Sequence, residues 1–87
     1  MDLLERIQKL PKGYSEVTFQ HKTYGVTRTD FNAGKSIKMY AEELGGTNVI
    51  SLNIYLTSKA RLIKPCEMPM EKVIHFLNHY QLKTLRS

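Results

Sequence analysis

The fold is decided by residues 35–57, which read KSIKMYAEELGGTNVISLNIYLT. Apolar and polar side chains alternate within residues 37–42 and again within residues 50–55. Successive side chains of a strand point to opposite faces of a sheet, so each half predicts a strand with one apolar and one polar face. Between them, residues 44–48 contain two glycines, which tolerate the positive φ angles of a turn. We therefore predict a β-hairpin.

Shorter patterns on both sides of this hairpin complete the predicted domain. Further elements are expected as a helix over residues 2–10 capped by Asp2, strands over residues 16–20, 23–30 and 61–64, and a second helix from Met70 to about Leu82. This order, with its short turns, predicts one α+β domain over residues 1–87. We expect a five-stranded antiparallel β-meander with the N- and C-terminal helices packed on one face.

Composition limits the classes of function. No apolar run approaches the roughly 20 residues that cross a bilayer, so we expect no membrane partner. The single cysteine cannot form an internal disulfide, which favours a cytoplasmic location. The net charge of +5 suggests an anionic partner without establishing one.

The polar face of the predicted sheet is left without a packed element, because both helices are expected on the apolar face. Its candidate binding residues are Lys38, Tyr40, Asn53 and Tyr55. Antiparallel sheets commonly leave such a face in water. The alternative is a platform for a protein partner, for self-association, or for single-stranded nucleic acid stacked on the tyrosines. Nucleic acid is not favoured, because Glu42 offsets Lys38 and no dense stripe of Arg and Lys is present.

Two short motifs resemble known sites but lack their context. Residues 33–36, AGKS, end like a phosphate-binding P-loop, but Thr29 stands where that loop needs its first glycine, and a strand follows. Glu71, His75 and His79 recur every four residues, a spacing that can bind a metal. That stripe lies opposite the apolar side of the predicted helix, which favours a solvated surface. We therefore predict a hairpin turn, no metal site and no cofactor.

Cys66 is the residue with the most reactive side chain. It lies between two prolines in residues 64–69, KPCEMP, just before the predicted second helix. A thiol near a helix N-terminus is more nucleophilic, whereas free cysteines are usually buried. Because the neighbouring Glu67 opposes a thiolate, we expect a structural thiol shielded by the last helix. Cys66 is nevertheless the one catalytic candidate.

Several segments resemble a group of small uncharacterised bacterial proteins, and the resemblance covers nearly the whole chain. The segments are PKGYSE at 11–16, YGVT at 24–27, YAEELGG at 40–46 and KPCEMP at 64–69. Some members of this group carry the label peptide methionine sulfoxide reductase, which implies a thiol-dependent redox activity using Cys66. The sequence differs from the A-type reductase motif Gly-Cys-Phe-Trp, since Cys66 lies in Pro-Cys-Glu and tryptophan is absent. An external thiol would have to resolve the oxidised cysteine.

No motif specifies a reaction, so the leading hypothesis is a small cytoplasmic binding or interaction protein without catalysis. A thiol-dependent redox protein using Cys66 is the first alternative. A single-stranded nucleic-acid binder using the Tyr40 and Tyr55 face is the second.

Overall fold

The computed structural model describes residues 3–83 as one antiparallel sheet with two helices. The elements are α1 (Leu3–Gln8), β1 (Gly13–Phe19), β2 (Lys22–Phe31), β3 (Ser36–Glu43), β4 (Val49–Leu56), β5 (Arg61–Pro65), α2 (Met70–His79) and β6 (Gln81–Leu82). Within the sheet the strands lie in the order β5-β4-β3-β2-β1-β6. The predicted α+β class and antiparallel sheet are confirmed.

The sheet has six strands, where five were predicted. The chain leaves α2 at Tyr80, whose φ of −71° and ψ of 154° are extended, so the helix ends before the predicted Leu82. Gln81 and Leu82 then pair with Thr18 and Val17 of β1. They extend the sheet beyond the outer edge of β1, where their backbone pairs with the backbone of β1.

Other boundaries also differ from the prediction. Helix α1 ends at Gln8 and not at Leu10. The predicted cap at Asp2 lies outside the described residues. Strand β1 begins at Gly13, three residues before the predicted start at Glu16, because Gly13 to Ser15 already pair with β2.

One face of the sheet carries the hydrophobic core. The hairpin register aligns Met39 with Leu52 and Ile37 with Ile54, which brings the predicted apolar faces of β3 and β4 together. The fully or nearly fully buried core comprises Ile7, Leu10, Val17, Phe19, Tyr24, Val26, Ile37, Met39, Ala41, Ile50, Leu52, Ile54, Val73, Phe76, Leu77 and Tyr80. Both helices therefore pack on this covered face, and each buried aliphatic side chain contributes about 1.5–3 kcal/mol.

An aromatic cluster holds α2 against β1 and β2. The Phe76 ring lies 4.9 Å from that of Phe19 and 5.4 Å from that of Tyr24, between ring centroids. Phe76 is fully buried, whereas Met70 in the first turn of α2 is 38% exposed. Aromatic pairs at these distances contribute about 0.5–1.5 kcal/mol beyond their burial.

Arg6 and Tyr80 join the two helices. The Nε of Arg6 donates a hydrogen bond to the carbonyl oxygen of Leu77 at 2.6 Å, and its Nη2 donates to that of Tyr80. In return the Tyr80 hydroxyl donates to the carbonyl oxygen of Arg6. The guanidinium carbon also lies 4.2 Å from the centroid of the Tyr80 ring, a cation–π contact. Arg6 thus satisfies carbonyls that the end of α2 leaves without helical partners.

Arg28 does the same for α1. Its Nη1 donates to the carbonyl oxygens of Gln8 at 3.2 Å and Leu10 at 2.7 Å. Its Nε and Nη2 bond to the two carboxylate oxygens of Asp30, each at 2.9 Å. These hydrogen bonds hold the pKa of Asp30 below its usual value. Two of the arginines are therefore used in joining elements of the fold.

We expect Arg6→Met to lower the free energy of unfolding by about 1–3 kcal/mol, because it leaves the carbonyls of Leu77 and Tyr80 unpaired. Arg6→Lys should recover only part of this loss, since an ammonium lacks the planar fork. Chemical denaturation followed by circular dichroism measures both. Lys9→Met, at an exposed position just after α1, is the matched control. A midpoint for Arg6→Met equal to that of the control would contradict this role of Arg6.

Candidate binding face

The second face of the sheet, called the open face below, bears the side chains that alternate with the core. Neither described helix packs on it, because both are buried against the covered face. Its residues are Tyr14, Glu16, Thr18, Thr23, Gly25, Thr27, Thr29, Phe31, Ser36, Lys38, Tyr40, Glu42, Val49, Ser51, Asn53, Tyr55, Leu62 and Lys64. All four binding residues predicted from the sequence are among them.

Strand register arranges the open face in rows that cross the sheet. The tyrosine row runs Tyr14, Thr27, Tyr40, Ser51 through directly paired positions of β1 to β4. Paired positions on neighbouring strands are separated by about 5 Å, and successive rows by about 7 Å. The two tyrosines of this row therefore stand two strands apart, with the small Thr27 between them.

A basic row lies on one side of the tyrosine row. It consists of Thr29, Lys38, Asn53 and Lys64, again at directly paired positions. Asn53 is thus flanked by a lysine on each neighbouring strand. Beyond it, Phe31, Ser36, Tyr55 and Leu62 form an outer row, which is the second row with exposed aromatic side chains.

An acidic row lies on the other side of the tyrosine row. Glu16 and Glu42 both pair with Gly25, so the two carboxylates flank the same glycine. The Tyr14 ring leans over that glycine: a Cβ at Gly25 would lie 2.6 Å from the Tyr14 hydroxyl oxygen. A glycine inside a strand often marks such a close neighbour. The hydroxyl donates to Glu16 Oε2 at 3.3 Å, and desolvation, together with this carboxylate, raises the pKa of Tyr14.

Cys66 lies at the end of the tyrosine row, and its predicted position under the last helix is wrong. Its backbone N–H donates to the carbonyl oxygen of Ser51 at 3.0 Å, which continues the pairing of β5 with β4. Pro65 aligns with the buried Leu52, so the alternation turns the next side chain to the open face. Cys66 is half-buried, and its Sγ lies 3.7 Å from Nδ2 of Asn53 on that face.

Sequence reasoning missed Tyr14 and Lys64 as members of this surface. Tyr14 precedes the strand that the sequence predicts from Glu16, so the pattern assigns it to no face. Lys64 was assigned to a strand, but its face could not be chosen, because the neighbouring apolar residues Leu62 and Ile63 do not alternate. The register with β4 makes that choice, since it pairs Lys64 with Asn53.

The two remaining motifs have local roles. Residues 33–35 of the AGKS segment lie in the turn between β2 and β3, where Asn32, Ala33 and Gly34 all have positive φ angles, and Ser36 begins β3. His75 Nε2 lies 3.1 Å from Nε2 of Gln20, and its ring contacts Phe19 edge-on at 5.4 Å. Among residues 3–83, no group of three or more His, Cys, Asp or Glu side chains is arranged to hold a metal ion.

No family model, no curated protein and no solved structure matches this chain. No helix within residues 3–83 has the length and apolar character needed to cross a membrane. The open face is therefore the basis for assigning a function.

We expect Cys66 to react with a maleimide in the native protein, at a rate that low concentrations of denaturant leave unchanged. The reason is that Cys66 is only half buried and that its Sγ lies beside Asn53 on the open face. The matched control is Leu52→Cys in a Cys66→Ser background, because Leu52 is fully buried and lies on the opposite face. This control should react only after unfolding. A Cys66 rate that follows global unfolding would contradict the assignment of its side chain to the open face.

Proposed function

We propose that this chain is a small binding protein, without catalytic chemistry of its own, whose open face is the binding surface. One observation carries the proposal: the exposed apolar side chains are concentrated on the layer that no described helix covers. Of the eight large apolar side chains exposed within residues 3–83, five belong to the open face, namely Tyr14, Phe31, Tyr40, Tyr55 and Leu62. Exposed apolar groups gathered in one area, with polar groups between them, are typical of interaction sites.

The residue types of this face favour recognition of another protein. Tyrosine is enriched at protein interfaces because its ring offers a large contact area and its hydroxyl a hydrogen bond. Tyr40 is 39% and Tyr55 is 38% exposed, so each ring has surface left to bury. Lys38 and Asn53 lie between the rows of these two rings, and Glu42 lies on the other side of Tyr40, so the face also offers both signs of charge and an amide.

A thiol-dependent reaction has less support. An activated thiol needs a neighbouring base or a positive group to stabilise its thiolate. Nδ2 of the neutral Asn53 amide, which cannot act as a base, lies 3.7 Å from Sγ of Cys66. With a single cysteine, the chain is best suited to a reducing compartment, so the proposed location is the cytoplasm.

Single-stranded nucleic acid is the second candidate, and the basic row favours it. Lys38 and Lys64 lie between the tyrosine row and the outer row, so cations alternate with aromatic rings as in single-strand binders. Glu16 and Glu42 oppose it, because their carboxylates on the same face would repel phosphates. A protein surface is therefore the favoured partner.

We expect an immobilised chain to retain a protein from a lysate of its source cells through Tyr40 and Tyr55. The double variant Tyr40→Ala/Tyr55→Ala should lose that protein and keep its fold, checked by circular dichroism. The matched control, Met70→Ala/Leu82→Ala, removes two similarly exposed apolar side chains outside the open face and should retain it. Equal retention by both double variants would contradict the proposal.

Nucleic acid is tested separately with fluorescently labelled mixed-sequence single-stranded RNA and DNA. We expect no change in anisotropy at low salt. Nucleic acid would become the leading candidate if binding required Tyr40 and Tyr55 and weakened with salt. The logarithm of the binding constant should then fall linearly with the logarithm of the salt concentration, with a slope of about −0.7 for each phosphate contacted.

A further inference from the structure

We propose that a second copy of this chain occupies the open face, so that two sheets pack face to face around a two-fold axis. This inference rests on the proposed function of the open face as a binding surface, and it names the partner. The side chains that carry it are those of the central strand β3, where Lys38, Tyr40 and Glu42 project from the open face at every second position.

These three side chains are complementary to themselves. A positive and a negative side chain stand at equal distances, about 7 Å, on either side of Tyr40. A two-fold axis along the tyrosine row, midway between the sheets, reverses the strand direction of the second copy. Lys38 of each copy then faces Glu42 of the other, and Tyr40 faces Tyr40. Symmetric dimers generally have such self-complementary interfaces, in which each contact occurs twice.

The neighbouring strands agree with the same axis. On β2 and β4 the axis places uncharged positions opposite each other, Thr29 against Gly25 and Asn53 against Val49. Lys64 of β5 and Glu16 of β1 lie on strands at opposite sides of the face, so neither is opposite a residue of the other row. No like charges of these three rows therefore oppose one another. An axis along β3 would instead set Lys38 against Lys38 and Glu42 against Glu42, which costs energy. The charges of Lys38 and Glu42 therefore favour the axis along the tyrosine row over the axis along β3.

The size of the face suits a weak dimer. Strands β1 to β5 span roughly 20 Å across the sheet and roughly 25 Å along it, from ordinary strand spacings. Two such faces bury on the order of 1,000 Å² in total, the lower end of specific interfaces. Sheets that pack face to face do so at about 10 Å and −30°, which leaves room for the interlocking tyrosine rings. We therefore expect a dimer that dissociates on dilution.

Charge reversal on β3 provides the test. Lys38→Glu gives each copy two acidic side chains beside Tyr40, and Glu42→Lys gives each copy two basic ones. Each variant alone should be monomeric, because like charges then face each other across the axis. An equimolar mixture of the two should form a 1:1 heterodimer, and the double variant K38E/E42K should recover the homodimer.

Sedimentation velocity from about 1 μM to 1 mM protein distinguishes these states, and circular dichroism checks that each variant is folded. The expected dissociation constant of each single variant is at least tenfold above that of the unmodified chain. The two single variants change the net charge of +5 in opposite directions, to +3 and +7, so a loss of dimer in both cannot come from net charge.

The proposal would be overturned by a monomeric unmodified chain at 1 mM, by single variants that dimerise as well as the unmodified chain, or by a mixture that fails to dimerise. Since all the substitutions are at exposed positions, a folded double variant that stays monomeric would also overturn it. The broader function is judged independently. The unmodified chain could be monomeric and yet retain a different protein from the lysate. If Tyr40→Ala/Tyr55→Ala then fails to retain that protein, the open face is still a binding surface and only the identity of the partner is wrong.

Discussion

The alternation of apolar and polar side chains in the β3–β4 hairpin is the constraint on which the rest of the structure depends. Ile37, Met39 and Ala41 of β3 meet Ile54, Leu52 and Ile50 of β4 on one face, and all six are buried. Because the side-chain period of a strand is two, a slip of one residue would move this whole set to the other face. Burial of the six residues therefore fixes the register of the hairpin, and the register aligns the tyrosine, basic and acidic rows.

The basic composition of the chain does not extend to the surface that we assign to binding. Arg6 and Arg28 are engaged with backbone carbonyls at the ends of the two helices. In the rows on either side of Tyr40, the charges of Lys38 and Lys64 are balanced by those of Glu16 and Glu42. Specificity would then come from the order of charges along β3 rather than from an excess of positive charge. This balance is the reason that a protein partner is favoured over nucleic acid.

The sequence was sufficient wherever local alternation determined the structure. Lys38, Tyr40, Asn53 and Tyr55 could be assigned to the open face because their neighbours in the hairpin are apolar at every second position. Cys66 could not, because its face depends on the pairing of β5 with β4. The end of α2 was also missed, since the chain beyond Tyr80 forms β6 against β1. Both errors arise from contacts between residues far apart in the chain, which no local pattern reports.

The separation of the sheet into a core face and a binding face is tested most directly by two adjacent residues of β3. Met39 is fully buried, whereas Tyr40 is 39% exposed. In chemical denaturation at low protein concentration, Met39→Ala should lower the free energy of unfolding by about 2–5 kcal/mol. Tyr40→Ala should lower it by less than about 1 kcal/mol, the range of a cross-strand pair. A loss for Tyr40→Ala equal to that for Met39→Ala would contradict the account, because both faces would then serve the core.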